Sequence, residues 1–208
     1  MKYILNSPWW LRALYPSLLW HKDRNQAMVY LTFDDGPHPE ITPWVLDQLE
    51  KHNAQATFFL IGDNARKYPE TAEQIKKAGH LTGNHTFHHT NGWKTDLKTY
   101  LSEVEQCAPY VDPGFFRPPY GRISRSQARA VIRNGYEVVM WDVISGDFDV
   151  EASPEQCRKN VERYLRPGSV IVFHDSEKAW PRLKEALPAT LELIRQKGLT
   201  SGRLDQTP

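Results

Sequence analysis

Two histidines four residues apart and two adjacent aspartates are the residues of this sequence best suited to bind a metal ion. If a helix begins at His85, then His85 and His89 lie on one face, a spacing that lets two imidazoles bind one ion. Asp34 and Asp35 follow an apolar run directly, and either one supplies the oxygen ligand that completes a three-residue catalytic zinc site. A solvated turn and an ordinary histidine pair fit the same residues, so both interpretations stay open at this level.

An arginine and a third histidine lie at the ends of other apolar runs. Arg117 precedes Pro118 and Pro119, and this stiff backbone suits a guanidinium held as a fixed fork for a carboxylate. His174 ends another apolar run with Asp175 beside it, which makes His174 a candidate general acid. Taken singly, a structural salt bridge and a buried, hydrogen-bonded imidazole are the alternatives.

Short apolar runs alternate with amphipathic segments, and these elements must position the polar residues. The predicted strands are Ala27–Phe33, Ala56–Ile61, Phe115–Phe116, Tyr136–Val143 and Val170–Phe173. The predicted helices are Pro43–His52, Ser124–Asn134, Pro154–Leu165 and Leu183–Lys197, the last with a possible break at Pro188. This alternation predicts a parallel sheet, and the polar clusters fall mostly at the carboxyl ends of its strands, where α/β barrels build their sites.

The predicted fold class is therefore α/β, a distorted or incomplete (β/α) barrel in a single domain. A full eight-fold barrel typically takes about 250 residues, which is tight for a chain of 208. We expect residues 1–26 to form a lead-in packed on the domain, 27–200 to form the domain and 201–208 to form a C-terminal tail.

Composition and charge exclude several classes of protein. The formal net charge is +1, so there is no basic surplus for binding nucleic acid. Prolines and Arg12 interrupt the apolar start of the chain before it reaches the roughly 20 residues of a membrane span. Without a transmembrane segment or an evident signal peptide, we expect a cytoplasmic location by default, with envelope association as the alternative. The sequence does not indicate an oligomeric state.

Five motifs occur in order along the chain. They are Thr-Phe-Asp-Asp-Gly-Pro at 32–37, His-Thr-x-x-His at 85–89, Arg-Pro-Pro-Tyr-Gly at 117–121, Asp-Phe at 147–148 and Ile-x-x-His-Asp at 171–175. Together they resemble the motifs of the polysaccharide deacetylase family, carbohydrate esterase family 4, with its NodB homology domain. The resemblance covers most of the chain beyond the lead-in and implies a distorted (β/α) barrel.

The resemblance implies a catalytic role for five residues. Asp34 resembles the catalytic base of the family and Arg117 the residue that orients it. His174 resembles the catalytic acid, and Asp147 the carboxylate that tunes it. The backbone N–H of Tyr120 resembles the donor to the oxyanion.

The metal ligands implied by the resemblance are Asp35, His85 and His89. The expected ion is zinc, with cobalt or nickel as substitutes, because the donor set mixes nitrogen and oxygen. We expect the substrate pocket to be lined by Phe148, Ile171 and Trp141. The family usually has Trp at 148, Leu at 171 and Asp at 144, where this chain has Phe, Ile and Ile, and these departures concern substrate preference more than chemistry.

The implied function is metal-dependent removal of N-acetyl groups from an amino-sugar polymer or oligomer, such as peptidoglycan or a chitin-like glycan. O-deacetylation of acetylated xylan is an alternative, because it uses the same site with a different leaving group. A catalytically silent carbohydrate-binding protein is another, since aromatic residues make up 12% of the chain. A glycosidase with paired carboxylates would leave His85 and His89 unused.

Overall fold

The computed structural model describes residues 3–206, so residues 1, 2, 207 and 208 of the predicted lead-in and tail lie outside the described residues. Its strands are β1 Met28–Asp34, β2 Ala56–Leu60, β3 Leu81–Asn84, β4 Phe115–Phe116, β5 Glu137–Val138, β6 Val143–Ile144, β7 Val170–His174 and β8 Thr200–Ser201. All pair in parallel, in the order β5-β4-β3-β2-β1-β7-β6, and β8 pairs with the start of β1. The sheet curls into a half-barrel with helices around it, which confirms the predicted fold class.

The helices pack around this sheet and carry clear local start signals. They are α1 Trp9–Leu14, α2 Ile41–Lys51, α3 Gly62–Lys67, α4 Pro69–Lys77, α5 Leu97–Cys107, α6 Arg125–Arg133, α7 Pro154–Tyr164 and α8 Trp180–Gln196. Ser124 caps α6 in a reciprocal capping box with Gln127, and Ser153 caps α7. Helix α8 runs through Pro188 without ending, because its buried leucines pack in the main core and offset the lost backbone hydrogen bond.

Side-chain alternation along β1 and β7 separates the core from the site. The register places Leu31 beside Ile171 and Asp34 beside His174. Leu31 and Ile171 pack in the main hydrophobic core with residues of the surrounding helices. Because neighbouring side chains of a strand point to opposite faces, Asp34 and His174 lie on the opposite face. The strands thus deliver two ionisable groups side by side at their carboxyl ends.

The lead-in closes the gap between the two ends of the sheet. Asn6 forms an antiparallel bridge with Val143 of β6, and Leu19 forms a parallel bridge with Val139 beyond β5. Trp20 is buried, whereas Trp9 is 75% exposed. No helix within residues 3–206 is both long enough and apolar enough to cross a membrane.

The predicted strand Tyr136–Val143 is wrong in its extent. It divides into β5, which pairs with β4, and β6, which pairs with β7. Between them the backbone leaves the ladder, and the carbonyls of Val139 and Met140 accept hydrogen bonds from Arg117. Strands β3 and β8 were not predicted, because Leu81–Asn84 mixes polar and small residues and Thr200–Ser201 is very short. Leu204, beyond β8, is fully buried.

Candidate active site

Asp34 at the end of β1 is held by a buried arginine that follows β4. Arg117 Nη1 donates to Asp34 Oδ1 at 2.7 Å and to Thr32 Oγ1 at 2.7 Å. Its Nη2 donates to the carbonyl of Met140 at 3.0 Å, and its guanidinium lies 4.2 Å from the ring centroid of Phe59. The side chains of Arg117 and Asp34 are 1% and 7% exposed, so water barely screens the ion pair.

The electrostatics of this pair keep Asp34 ionised. Burial by itself raises the pKa of a carboxyl group. The Arg117 guanidinium, followed by His85 and His174, more than offsets burial and holds the pKa of Asp34 below its ordinary value. Asp34 Oδ1 is engaged by Arg117, which leaves Oδ2 as the oxygen that can accept a proton. The sequence predicted a fixed fork on a carboxylate; in the structure Arg117 contacts the Asp34 carboxylate through Nη1 alone, and its Nε and Nη2 donate to backbone carbonyls.

Asp35, His85 and His89 come together in a cluster suited to a metal ion. His89 Nε2 lies 3.2 Å from Asp35 Oδ1, and His85 Nε2 lies 3.8 Å from the same oxygen. One ligand atom from each of the three lies within 4.8 Å of the others. Of the two aspartates that the spacing left open, Asp35 is the one in the cluster and Asp34 faces Arg117.

The helix considered for the histidine pair does not form. Strand β3 ends at Asn84, and residues 85–90 form a loop in which Thr86 and His89 have φ values of 63° and 56°. This loop is tied to α5, because Glu103 accepts from the backbone N–H and from Nδ1 of His88. A tight loop rather than a helical turn brings the two imidazoles to a ring separation of 5.0 Å.

The donor chemistry of the cluster fits a divalent metal. His85 Nδ1–H donates to the carbonyl of Arg117 at 2.7 Å, which leaves the Nε2 lone pair directed to the Asp35 side. Burial lowers the pKa of His85, and burial followed by His85 lowers that of His89. Both imidazoles are therefore neutral at neutral pH, which is the form that binds a metal ion.

His174 at the end of β7 is paired with a buried aspartate. His174 Nδ1–H donates to Asp147 Oδ1 at 2.8 Å, and its backbone N–H donates to Asp147 Oδ2 at 2.9 Å. Ser145 Oγ also donates to Asp147 Oδ1, at 3.0 Å. Burial opposes protonation of His174, but the Asp147 carboxylate outweighs burial and raises the pKa of His174 to about 9. His174 is therefore a protonated imidazolium at neutral pH, with Nε2–H as its free donor.

Left-handed backbone concentrates around the site. Non-glycine residues with positive φ, within residues 3–206, are Asn53 together with Asp35, Thr86, His89 and Tyr120. Such conformations are uncommon outside glycine and cluster at functional sites. Tyr120, whose φ is 60°, is 61% exposed and lies with its ring 4.5 Å from that of His89. Its backbone thus turns beside the cluster of Asp35, His85 and His89, and its ring covers the His89 imidazole.

These groups surround a cavity of about 560 Å³. Its lining includes Asp34, Asp35, His85, His89, Tyr120, Trp141, Phe148 and His174. Ile171, expected to line the pocket, lies in the main core instead, since it occupies the face of β7 opposite to His174. Val172 and Ile144 supply the apolar surface in its place. A larger cleft of about 1020 Å³ lies where β8 meets the start of β1, away from the predicted residues.

A family model described as polysaccharide deacetylase matches residues 21–139, more than half of the chain. The chain belongs to the polysaccharide deacetylase family. The match ends before Asp147 and His174. His174 nevertheless lines the same cavity as the matched residues, and the buried Asp147 reaches this site through its hydrogen bond with His174.

The individual proteins to which this chain is similar include deacetylases of peptidoglycan and of chitooligosaccharides. It is 40% identical over 159 residues to a peptidoglycan-N-acetylglucosamine deacetylase of Bacillus cereus, covering 73% of this chain and 57% of the relative. It is 37% identical over 159 residues to a chitooligosaccharide deacetylase of Azorhizobium caulinodans, covering 73% of this chain and 75% of the relative. A crystal structure of a peptidoglycan N-acetylglucosamine deacetylase superposes with a TM-score of 0.84 at 34% identity, covering 90% and 91% of the two chains.

Thr32, Tyr3 and Lys178 also contribute to the site, and sequence reasoning did not find them. Thr32 accepts a hydrogen bond from Arg117 and donates one to the carbonyl of Ile171. Its position two residues before Asp34 puts both side chains on the same strand face, and this could have indicated a place in the site. Tyr3 and Lys178 also line the cavity. No local pattern marks these two, because they come from the lead-in and from the segment before α8.

Proposed function

We propose that this chain is a metal-dependent hydrolase that removes N-acetyl groups from an amino-sugar polymer or oligomer. The observation that carries the proposal is the pairing of Asp34 with His174 on adjacent strands, beside the cluster of Asp35, His85 and His89. The environments of Asp34 and His174 drive their pKa values apart, the pattern of a base and an acid that work in one site. The similarity to deacetylases of peptidoglycan and chitooligosaccharides supports the substrate class.

In this proposal Asp35, His85 and His89 hold one divalent ion. Two imidazole nitrogens and a carboxylate oxygen suit zinc, and cobalt or nickel would fit the same ligands. When bound, such an ion supplies a Lewis acid for the acetamide carbonyl and lowers the pKa of water in the site. The hydrogen bond from His85 Nδ1 to the Arg117 carbonyl keeps Nε2 facing the ion.

The protein groups then move two protons. Asp34 Oδ2 accepts a proton from the attacking water while Arg117 holds Oδ1 in place. The backbone N–H of Tyr120 donates to the oxygen that gains negative charge during attack. His174 Nε2 gives its proton to the departing amine nitrogen, and Asp147 keeps the imidazolium oriented through Nδ1. Amines leave poorly unless protonated, so the high pKa of His174 suits cleavage of an amide.

Phe148 and Trp141 form the apolar part of the substrate pocket in this proposal, together with Val172 and Ile144. The acetyl methyl group would pack against these side chains while the sugar extends toward solvent. A pocket of this kind fixes the acetamide by apolar contact and leaves orientation to the few polar groups around it.

The direct test measures acetate released from N-acetylglucosamine oligomers by metal-free protein before and after zinc is restored, with Asp34→Asn as the inactive control. Zinc-dependent release that is lost in the variant supports the proposal. Release from acetylated xylan alone would make the chain an O-acetyl esterase. Oligomer binding without release from either substrate, with zinc bound, would make it a binding protein.

A further inference from the structure

The lead-in is fixed along the outer side of β6 by backbone hydrogen bonds. The Ile144 N–H donates to the Leu5 carbonyl at 2.9 Å, and the Ser7 N–H donates to the Asp142 carbonyl at 3.2 Å. Trp141 Nε1 donates to the Ile4 carbonyl at 3.3 Å. These bonds place the segment from residue 4 to residue 7 like an extra strand and direct residue 3 toward the cavity.

Tyr3 lies against the loop that carries Asp147. Its ring centroid is 4.9 Å from that of Phe148, and the Phe148 ring is 5.2 Å from the imidazole of His174. A Cβ atom added to Gly146 would lie 2.7 Å from the Tyr3 hydroxyl oxygen, so the ring packs directly on the loop backbone. Tyr3 therefore touches the loop and the cavity at the same time.

The Tyr3 hydroxyl is a hydrogen-bond donor in this setting. It bonds to the Asp149 carboxylate, and burial followed by Asp149 raises the pKa of Tyr3 to about 12. Asp149 also accepts from the backbone N–H of Glu151, at 3.1 Å. The hydroxyl bond thus fixes the rotation of the Tyr3 ring, and the ring presents an apolar face to the cavity.

Lys178 completes this side of the cavity. Its ammonium lies 6.0 Å from the Phe148 ring centroid, and the residue is exposed. Two aromatic rings beside a flexible ammonium group form a surface that is apolar with a few polar donors and acceptors. A pyranose ring matches this surface, because its C–H face packs on aromatic rings and its hydroxyls bond to charged groups.

We propose that Tyr3 and Lys178 form a binding subsite for the sugar next to the one that is deacetylated, together with the Phe148 ring, which lies between Tyr3 and His174 and so borders both this subsite and the acetyl pocket. The inference rests on the proposed function for its substrate class, and it assigns the lead-in a part in substrate binding. The subsite lies on the His174 side of the cavity, so an oligomer seated in it extends away from Asp35, His85 and His89.

The test compares two substrates, an N-acetylglucosamine tetramer and 4-nitrophenyl acetate, which carries an acetyl group without a sugar. Tyr3→Ala is expected to lower the ratio of kcat/KM for the tetramer to kcat/KM for the ester by about tenfold, mainly through KM, as expected for the loss of one apolar contact of this size. Tyr3→Phe, which keeps the ring, should lower the ratio less. Trp10→Ala, an exposed lead-in aromatic outside the cavity lining, is the matched control and should change neither value.

A purely structural role for Tyr3 gives a different result. In that case Tyr3→Ala lowers kcat/KM for both substrates equally and leaves their ratio unchanged, which overturns the subsite. Calorimetric titration with the tetramer measures binding without catalysis, so it tests the subsite independently of the proposed function. If the zinc-loaded wild-type protein releases no acetate from either substrate, the proposed function fails, while weaker tetramer binding by Tyr3→Ala still supports the subsite. Equal binding by both proteins, or none by the wild type, overturns it.

Discussion

The two sides of the cavity are built in different ways. On the metal side, Asp34 and Arg117 are almost fully buried, and Asp35, His85 and His89 follow the ends of β1 and β3. On the lead-in side, Tyr3 and Phe148 are half-buried and Lys178 is exposed, and all three come from segments outside the strands. Reaction chemistry needs charged groups at fixed positions in a poorly solvated site, and strand ends with buried partners provide this. Binding a sugar tolerates looser positions, which loops and the lead-in supply.

The largest expected effect is on the metal side, at the proposed base. Asp34→Asn should lower kcat for acetate release by about 10²–10⁴-fold, because an amide oxygen does not accept the proton from water. Zinc binding should persist, since Asp35, His85 and His89 remain. Asp47→Asn on the exposed surface of α2 is the matched carboxyl-to-amide control and should be fully active. An Asp34→Asn protein with more than about a tenth of wild-type kcat would place the base elsewhere.

The next largest effect is on the free energy of unfolding, through the buried ion pair on the metal side. Arg117→Met removes the partner of a buried carboxylate, so the free energy of unfolding should fall by about 3–5 kcal/mol. Urea denaturation measures this change. The double variant Asp34→Asn/Arg117→Met removes both charges and should recover part of the loss. If the losses in free energy of unfolding of the two single variants simply add in the double variant, Asp34 and Arg117 do not stabilise each other. The metal side would then not differ from the lead-in side in this respect.

The third prediction concerns the acid, which lies where the two sides meet. His174 donates its proton only below its pKa, so activity should fall as the pH rises through about 9. In Asp147→Asn the carboxylate that raises the pKa of His174 most is gone, so burial, opposed only by the weaker effects of Asp35 and Asp34, lowers this pKa from its wild-type value. The alkaline limb of the kcat profile should therefore move to lower pH, with Asp47→Asn unchanged. An unmoved limb would mean that another group sets it.

The smallest effect is expected at the exposed face of the lead-in. Trp9 is 75% exposed, so Trp9→Ser should change the free energy of unfolding by less than about 0.5 kcal/mol. The kcat/KM values of both test substrates should also stay the same. A substantial loss of stability or of activity on the tetramer would extend the functional part of the lead-in beyond Tyr3.

Much of the metal side was predictable from the sequence, because its residues follow apolar strands whose ends meet at one edge of a parallel sheet. The spacing of His85 and His89 indicated a metal site even though the helix considered for this spacing does not form. The resemblance placed Ile171 in the pocket, and alternation could not correct this, because in a continuous apolar run such as Val170–Phe173 hydrophobicity does not distinguish the two faces of the strand. The break between β5 and β6 was missed because it depends on a distant residue. Arg117, more than 20 residues earlier, donates to the carbonyls of Val139 and Met140 there.

The sequence by itself determined the fold class, the family resemblance and the candidate base, acid and metal ligands, because the polar residues of each motif are close neighbours in sequence and follow a recognisable strand. Only the tertiary structure showed that a loop rather than a helix brings His85 and His89 together beside Asp35, and that Tyr3 reaches the cavity. Those outcomes depend on backbone turns and on pairing between distant segments, such as Asn6 with Val143. Contacts of this range are set by how the whole sheet curls and closes, which no local pattern contains.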